Sequence, residues 1–469
     1  MEPALHPQTA ASPSPKVWTA GTLTYTSAGL VTLFLWLLWG DFAWQMRDRS
    51  VGPLAGWYLN HLKVPNVLFA LLFSSLPSLI SLFLGPVISV KSDRHRGKLG
   101  RRIPFLLITT PIAALGMIGL ALTPLLAKWA HQFCSSHLSS FAALLQNEMA
   151  VSVICFGIFW VVFECASIAG QSVFNGLIND VVPTPLLGRF YGLFRAVSLI
   201  DGMIFNFWIM GKAPSHFTLI LTLVGLFYGT AFLWVCFKVK EGSYPPVQLP
   251  ASGSKKGGFF SSAKSYCREC FTNPYYITLF LMLMTAGIAF GPVNTFSIPY
   301  ARSLGISMET YGKSLALTYA ISLCLSFFMG WMADLFHPLR VAMATLAGYV
   351  LVTVWGSFYA TTPNAYLAAW VLHGVLSGCY FSGAASLGQR LFPRSKFAQF
   401  ASAASIFGAL ANMVIAPLLG VLIDQSGNHL FHHTFTVAAI LSLTALAIAW
   451  YVYQQFMKLG GPKAYMAPE

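Results

Sequence analysis

Long apolar stretches alternate with short polar segments along the whole chain. Each stretch has the length of about 20 residues or more that a membrane-spanning helix needs. They fall in two groups of six, near 23–44, 65–90, 103–127, 150–178, 188–210 and 216–238, and near 275–299, 311–333, 338–360, 363–389, 397–423 and 430–456. The pattern predicts an all-α membrane protein with twelve transmembrane helices in two pseudo-symmetric six-helix bundles.

The polar segments predict the limits of the two bundles. Residues 1–20 are polar and Pro-rich, without the basic start and cleavage site of a secretory signal, which predicts a disordered tail. Residues 239–273 contain Pro245-Pro246, Gly and Ser clusters and several Lys, which is typical of a linker. The bundles are therefore expected at 21–238 and 274–457, with a second tail at 458–469.

Two pairs of similar segments indicate that the halves are related. Ser89–Asp93, after the second apolar stretch, matches Gly330–Asp334 after the eighth. Asp180–Pro183 likewise resembles Arg390–Pro393 before the eleventh. Many carriers are built from such paired halves, with a central site near the middle of the membrane.

The composition excludes an ordinary soluble protein, because 56% of the 469 residues are hydrophobic and only 9% are charged. A net charge of +14 would suggest a nucleic-acid partner in a soluble chain. Here most Lys and Arg lie in alternate loops and in the tails, whereas Arg47 and Arg49 are assigned to the opposite side. This asymmetry predicts that both termini and the linker are cytoplasmic, in a multi-pass protein of a bacterial inner membrane that does not bind nucleic acid.

Metal and cofactor binding is not expected. Cys267 and Cys270 are the only closely spaced pair among eight Cys. A structural zinc site would need a second such pair or nearby His. We therefore expect ordinary thiols on the reducing side of the membrane, with no metal and no cofactor.

A cluster of charge follows the second apolar stretch. Ser92-Asp93-Arg94 ends the stretch, and Gly100-Arg101-Arg102 with Pro104 opens the next one. This arrangement resembles the cytoplasmic signature of the major facilitator superfamily, and its spacing is similar to the sucrose-transporter and glycoside–cation symporter branches. The resemblance implies transport rather than catalysis.

The same charges are expected to form a cytoplasmic gate. Asp93 can pair with Arg94, Arg101 or Arg102 and with the positive end of a helix in the opposite half, which would favour an outward-open state. Asp334 and Arg340 are the counterparts in the second half. A purely topogenic role would account for the Arg residues but not for Asp93.

The fourth stretch contains an intramembrane carboxyl, Glu164. Gln171 and Asn175 follow at i+7 and i+11, on the same helix face. The passage is similar to the fourth helix of sucrose–proton symporters, in which an acid precedes a Gln by seven residues, an Arg by eleven and an Asp by sixteen. The resemblance implies that Glu164 takes the coupling proton and that Gln171 and Asp180 match the family pattern, whereas Asn175 departs from it.

Arg195, on the fifth stretch, is expected to supply the missing positive charge. If helices four and five pack as neighbours, Arg195 would compensate the Glu164 carboxylate, and the arrival of solute or proton would change that balance. The alternative is a static structural ion pair.

The remaining polar residues at membrane depth are candidates for a solute cavity. Asp41 and Trp44, placed near the outer end of the first stretch, could bind and stack on a sugar; the alternative is an aromatic belt at the interface. Asn294 follows a helix-breaking Gly291-Pro292 step. His373 occupies the counterpart of Glu164, either as a functional group or as a packing residue. Further polar residues without an assigned role are Asp201, Tyr319, Tyr380, Gln399 and Asn412.

The function expected from these observations is proton-coupled uptake of a glycoside or small oligosaccharide by a monomer. Protons are favoured because the second stretch has no carboxylate, whereas sodium-coupled sugar symporters of the resembling branch carry acids there. The alternatives are proton-driven transport or export of another organic solute, a non-transporting sensor, or an acyl-handling membrane enzyme. Catalytic clusters in the loops would favour an enzyme and an appended signalling domain a sensor, and the sequence displays neither.

Overall fold

A computed structural model describes residues 17–137, 147–244, 268–393, 397–426 and 430–468. Most of the predicted N-terminal tail and linker, including Cys267, lies outside these ranges. The end of the predicted tail is not disordered, because Trp18–Ala20 (β1) pairs with Leu23–Tyr25 (β2) in an antiparallel hairpin. Backbone pairing, which composition alone does not reveal, explains the difference.

The described residues of the first half form six long helices. They are α1 (Ser27–His61), α2 (Asn66–Arg94), α3 (Ile103–His137), α4 (Glu148–Val181), α5 (Leu187–Ile204) and α6 (Ala213–Lys238). Helix α2 contains a π-helical turn at Leu71–Ser75, and α5 continues into another at Phe205–Ile209. The backbone leaves helical geometry at His216. The 50-residue run Arg189–Lys238 therefore bends and crosses the membrane twice.

Six more long helices lie in the described ranges of the second half. They are α7 (Pro274–Ser303), α8 (Met308–Phe336), α9 (Pro338–Tyr359), α10 (Pro363–Gly383), α11 (Phe397–Gln425) and α12 (His433–Lys458). A short α13 (Gly461–Ala464) follows. Helix α7 is interrupted after Ile288, so that Gly291–Thr295 forms a separate turn, as the Gly-Pro step predicts.

The outer surface of the fold is suited to a lipid bilayer. Within the described ranges, eleven helical runs are long and apolar enough to span, and the bend in the run Arg189–Lys238 makes twelve crossings. Leu351 and Phe358 on α9 are 73% and 71% exposed. Large apolar side chains with so little protein cover lie against lipid. The predicted twelve-helix, two-bundle architecture is confirmed.

Helix α1 is longer than predicted. Its sequence turns polar after Trp44, but the helix continues to His61 and encloses Arg47, Asp48 and Arg49. The assignment of both arginines to an outer loop was therefore wrong. The helix tolerates them because each has partners inside the protein: Arg47 is ion-paired with Asp48, and Arg49 bonds to α5 and α8.

The two halves meet closely at one side of the membrane, the side on which α1, α5, α7 and α11 end and α2 and α8 begin. A Cβ added to Gly420 of α11 would lie 2.7 Å from the main-chain oxygen of Asn66. A Cβ added to Gly312 of α8 would lie 2.3 Å from the main-chain oxygen of Asn206. We call this side the closed face, and the opposite side, which carries the loop 95–102, the basic face.

Asp424 joins the halves at the closed face. Its Oδ1 accepts hydrogen bonds from the main-chain and side-chain nitrogens of Asn66 at 3.0 and 2.8 Å, and its Oδ2 accepts one from the main chain of Val67 at 3.0 Å. The carboxylate of α11 thus caps the N-terminus of α2, where backbone donors lack helical partners.

Removing this cap should open the closed face. Asp424→Ala deletes bonds worth roughly 1.5–3 kcal/mol each to a charged group, partly recovered by water, so we expect the closed state to lose about tenfold in population. Labelling of a cysteine at Thr295, in the cavity behind this face, would measure the change. Labelling equal to that of the wild type would show that the cap does not hold the halves together.

His337, between α8 and α9, makes an unusual turn at the basic face. Its φ is 78°, and its Nδ1 accepts a hydrogen bond from the main chain of Leu339 at 3.3 Å. Burial, together with the charges of Arg390 and Arg340, lowers the pKa of His337 to about 4. The folded protein therefore binds this proton less readily than the unfolded chain, whose His pKa is about 6.5.

Folding stability should consequently fall as the pH is lowered from about 6.5 to about 4, by roughly 2–3 kcal/mol. Above this window neither state binds the proton, and below it both do. Thermal unfolding in detergent would measure the effect. His337→Asn keeps a side-chain acceptor but does not titrate, so it should remove most of the acid sensitivity in this window. An unchanged pH profile in His337→Asn would contradict the assignment.

Candidate functional site

Adjoining cavities run between the two halves. A central cavity of about 230 Å³ is lined by Arg49 and Arg195 from the first half and by Tyr319, Trp370 and Phe381 from the second. A cavity of about 320 Å³ toward the closed face shares Tyr319 and Trp370 with it. A cavity of about 700 Å³ toward the basic face shares Arg195 and Phe381. Because they share these residues, the three cavities adjoin one another between the halves, and we call them together the path.

A chain of side-chain hydrogen bonds crosses from the first half to the second beside the central cavity. Asp41 Oδ1 accepts from Gln45 at 3.2 Å, and Gln45 Oε1 accepts from Ser198 at 2.9 Å. Arg49 donates to Ser198 Oγ at 2.8 Å and to the Tyr319 hydroxyl at 3.0 Å. Because Asp41, Gln45 and Arg49 are four residues apart, they share one face of α1. We call these five residues the polar chain.

Asp201 lies next to the polar chain. It follows Ser198 by three residues on α5, it is fully buried, and neither carboxyl oxygen has a hydrogen-bond partner in the described part of the protein. Asp41 Oδ2 and Arg49 Nε are likewise buried without a hydrogen-bond partner among the described residues. The charged groups that act on Asp201 are Asp41 and Arg49. Burying an ionised carboxylate without hydrogen bonds costs free energy. The two buried carboxyls, Asp41 and Asp201, are therefore suited to hold a proton.

Glu164 faces Arg47. Arg47 is buried, ion-paired with Asp48 at 2.6 Å, bonded to the Tyr228 hydroxyl at 3.3 Å and placed 3.9 Å from the Trp44 ring centroid. It is the cation whose charge acts on Glu164. This partner was missed because Arg47 was assigned to a loop.

The predicted pair of Glu164 with Arg195 was wrong. Among the described residues the ion pairs do not join them, and the groups that act on Arg195 are Arg49 and Tyr319. Helix α5 packs against α1 and α8, whereas α4 packs against α2 and α3. Arg195 is therefore directed to the cavity between the halves.

Two other predictions for helix α1 and one for α4 need correction. Trp44 is buried in the first half against Phe174 and Phe232, so it lines none of the three cavities. Asp41 is also enclosed, and it reaches the central cavity only through the polar chain. Both residues lie near the middle of α1, because the helix extends to His61. Gln171 and Asn175 are bonded to each other at 3.0 Å on α4, outside the three cavities.

Asn294, a predicted cavity residue, is in the second half. Asn294 lines the central cavity and the cavity behind the closed face. Its Oδ1 lies 3.1 Å from His373 Nε2, and His373 Nδ1 lies 2.8 Å from the Tyr349 hydroxyl. His373 is buried and lines neither cavity, as expected if it is a packing residue. It orients Asn294. Of the other polar residues of this half, Tyr319 is part of the polar chain.

The predicted gate charges pair within their own halves in this conformation. Arg102 contacts both Asp93 and Asp180, and Arg101 bonds Asp180 at 2.5 and 2.8 Å. Glu241 accepts from the main chain of residues 101–103 at the start of α3. In the second half, Asp334 pairs with Arg390 at 2.6 Å and Arg340 bonds Tyr453. Arg94, the last residue of α2, is exposed. Contacts of these side chains with the opposite half are absent among the described residues, as expected for a conformation open at the basic face.

Comparison with known proteins agrees with this architecture. The family model described as Major Facilitator Superfamily matches residues 279–464. No curated protein sequence matches the chain. Among solved structures, the inward-open xylose transporter XylE from E. coli has a TM-score of 0.66 at 13% identity, covering 90% of this chain and 96% of that chain. A bacterial homologue of the human lysosomal transporter Spinster, inward-facing and unoccupied, has a TM-score of 0.63 at 14% identity, covering 95% and 100%.

The nucleoside transporter NupG has a TM-score of 0.64 at 13% identity, covering 90% of this chain and 100% of that chain. These likenesses extend over both halves, whereas the family model covers the second. The chain therefore has the major facilitator fold, with two six-helix bundles around a path that is closed at one face. The finer resemblance to sucrose and glycoside symporters rests on the sequence motifs alone.

Proposed function

We propose that the protein is a proton-coupled secondary transporter that moves a small polar solute by alternating access. The observation that carries this proposal is the polar chain, which links a buried carboxyl of the first half to Tyr319 of the second. A coupled carrier needs its proton site to influence the contact between its moving halves. The polar chain provides such a connection at the wall of the central cavity.

The protonation state of Asp41 sets the charge around Arg49. With Asp41 protonated, Arg49 donates freely to Tyr319 and the halves are held together at the closed face. With Asp41 and Asp201 both ionised, two carboxylates attract the guanidinium, and the bond to Tyr319 weakens. Asp48, the remaining acid near Asp41, is exposed and ion-paired with Arg47. Loss of the proton is thus expected to open the closed face.

The orientation follows from the charge distribution. The loops and termini rich in Lys and Arg belong to the basic face, which the positive-inside rule assigns to the cytoplasm. The described conformation is then open to the cytoplasm, and protonation from outside would drive uptake. The Asp93 cluster would engage the other half when the basic face closes. We propose a monomer in a bacterial inner membrane as the functional unit.

A glycoside or small oligosaccharide is the proposed solute class. Trp370 and Phe381 offer aromatic faces to a sugar ring, and Asn294, Ser322 and Ser377 offer hydrogen bonds. The xylose and nucleoside transporters that share the fold carry sugar-containing solutes by their names. Another small organic solute is the alternative within transport.

Glu164 is the second candidate for the coupling proton. The sequence motif assigns it this role, and the buried Arg47 provides a compensating charge. Asp41 is preferred because the contacts of Arg47 given above stay within the first half.

Measuring proton uptake on addition of a solute would test the proposed proton-coupled transport. Purified protein in proteoliposomes with an internal pH dye would be exposed to a panel of neutral and acidic sugars and glycosides. We expect one class to acidify the lumen, and a sodium gradient should not replace the proton gradient. Accumulation that follows sodium and ignores a protonophore would contradict proton coupling.

A further inference from the structure

Among the described residues, the charged side chains that line the path between the halves are all cationic. Arg49 and Arg195 line the central cavity, and Arg189 joins Arg195 in the cavity toward the basic face. The cavity toward the closed face adds no ionisable side chain other than Tyr311 and Tyr319. The described residues that line the three cavities include no Asp and no Glu. Asp41 and Asp201 are enclosed behind the wall.

Arg195 has no acceptor among the described residues. It is exposed although it lies within a membrane-spanning run, so the cavity reaches its guanidinium. Arg49 uses two of its nitrogens on Ser198 and Tyr319, and its buried Nε has no partner in the described protein. An intramembrane guanidinium is costly without a counter-charge, and its planar donors match a carboxylate or a phosphate.

We propose that the transported solute carries an acidic group, which Arg195 binds at the central cavity with Arg49 beside it. This inference rests on the proposed transport function and narrows its substrate class to an acidic sugar or a comparably small organic acid. The acid group would lie toward α5, while Trp370 and Phe381 cover the apolar part of the solute.

Charge balance is consistent with proton coupling. A monoanion entering a cell moves against the inside-negative membrane potential, at about 2.3 kcal/mol per charge and 100 mV. One co-transported proton makes the step electroneutral. Asp41 is connected to Arg49 through Gln45 and Ser198 and does not line the central cavity, so a proton on Asp41 and a solute in the cavity would not compete for the same space.

Matched probes test the charge of the solute. Glucose, glucuronate and glucose 6-phosphate share a ring and differ in charge, so thermal stabilisation of the full-length protein by each would compare a neutral group, a carboxylate and a phosphate. We expect at least one acid to stabilise and glucose not to. Arg195→Gln should weaken the acid's binding about 10- to 100-fold, and Arg195→Lys should retain part of it. Lys128→Gln, which removes an exposed charge far from the cavities, should bind like the wild type.

The outcomes separate the two proposals. If glucose binds and drives proton uptake while neither acid does, transport stands and the acidic-solute inference is overturned. Acid binding that is equally strong in Arg195→Gln would also overturn it. If neither acid binds, the inference fails whatever the transport assay shows. If an acid binds through Arg195 but moves no proton, the inferred site stands and the coupling proposal fails.

Discussion

Asp41→Asn is expected to abolish uphill accumulation of the solute while leaving solute exchange intact. The amide keeps the bond to Gln45 but cannot release a proton, so the empty carrier has no deprotonated form in which to return to the outward-open state. Exchange needs no net proton movement and should persist. Accumulation and counterflow of labelled solute in the same proteoliposomes would measure both.

Glu164→Gln provides the decisive comparison for this prediction. We expect Glu164→Gln to accumulate solute better than Asp41→Asn, because Arg47 and its partners have no described contact with the second half. Glu148→Gln, an exposed carboxyl at the start of α4, should behave like the wild type and serves as the control. Full accumulation by a folded Asp41→Asn protein, with loss in Glu164→Gln, would move the coupling proton to Glu164.

Gly312→Ala is expected to hold the closed face open and reduce transport at least tenfold. The added methyl would lie 2.3 Å from the main-chain oxygen of Asn206 and 2.9 Å from Met210 Cβ, and the first of these atoms cannot move without the helix. Overpacking of this kind costs about 1–3 kcal/mol, enough to shift a two-state equilibrium by roughly tenfold or more. A cysteine at Thr295 should be labelled faster from the closed face.

Gly330→Ala is the matched control, because it lies on the same helix and an added Cβ there meets nothing within 4 Å. It should transport and label like the wild type. Equal labelling of the two variants would show that the contact of α8 with the π-helical turn of α5 does not limit opening.

The sequence predicted the helices well because the bilayer imposes a minimum apolar length on each. It failed at α1, where the charged Arg47, Asp48 and Arg49 suggested a loop. Their partners Tyr228, Ser198 and Tyr319 are supplied by helices distant in sequence. Local hydropathy contains no information about such compensation, so the end of the helix could not be located from it.

The candidate site, too, could be predicted only where the signal is local in the sequence. A Gly-Pro step is a local signal for irregular backbone, and Asn294 behind it does line two cavities, whereas its contact with a solute stays a prediction. The pairing of Glu164 with Arg195 needed knowledge of which helices are neighbours, and α5 packs on α1 and α8 instead of α4. Asp201 had no assignable partner for the same reason, since Asp41 and Arg49 are on α1. A spacing of four residues from Asp41 through Gln45 to Arg49 was the signal that could have identified the polar chain.

The most direct test of the account is the pH dependence of the closed face in the empty protein. Spin labels at Lys128 and Thr361, one on each half near that face, would report its opening as a distance. We predict that raising the pH increases the open fraction in the wild type and leaves Asp41→Asn closed throughout. The same pH response in both proteins would contradict the claim that Asp41 controls the contact of Arg49 with Tyr319.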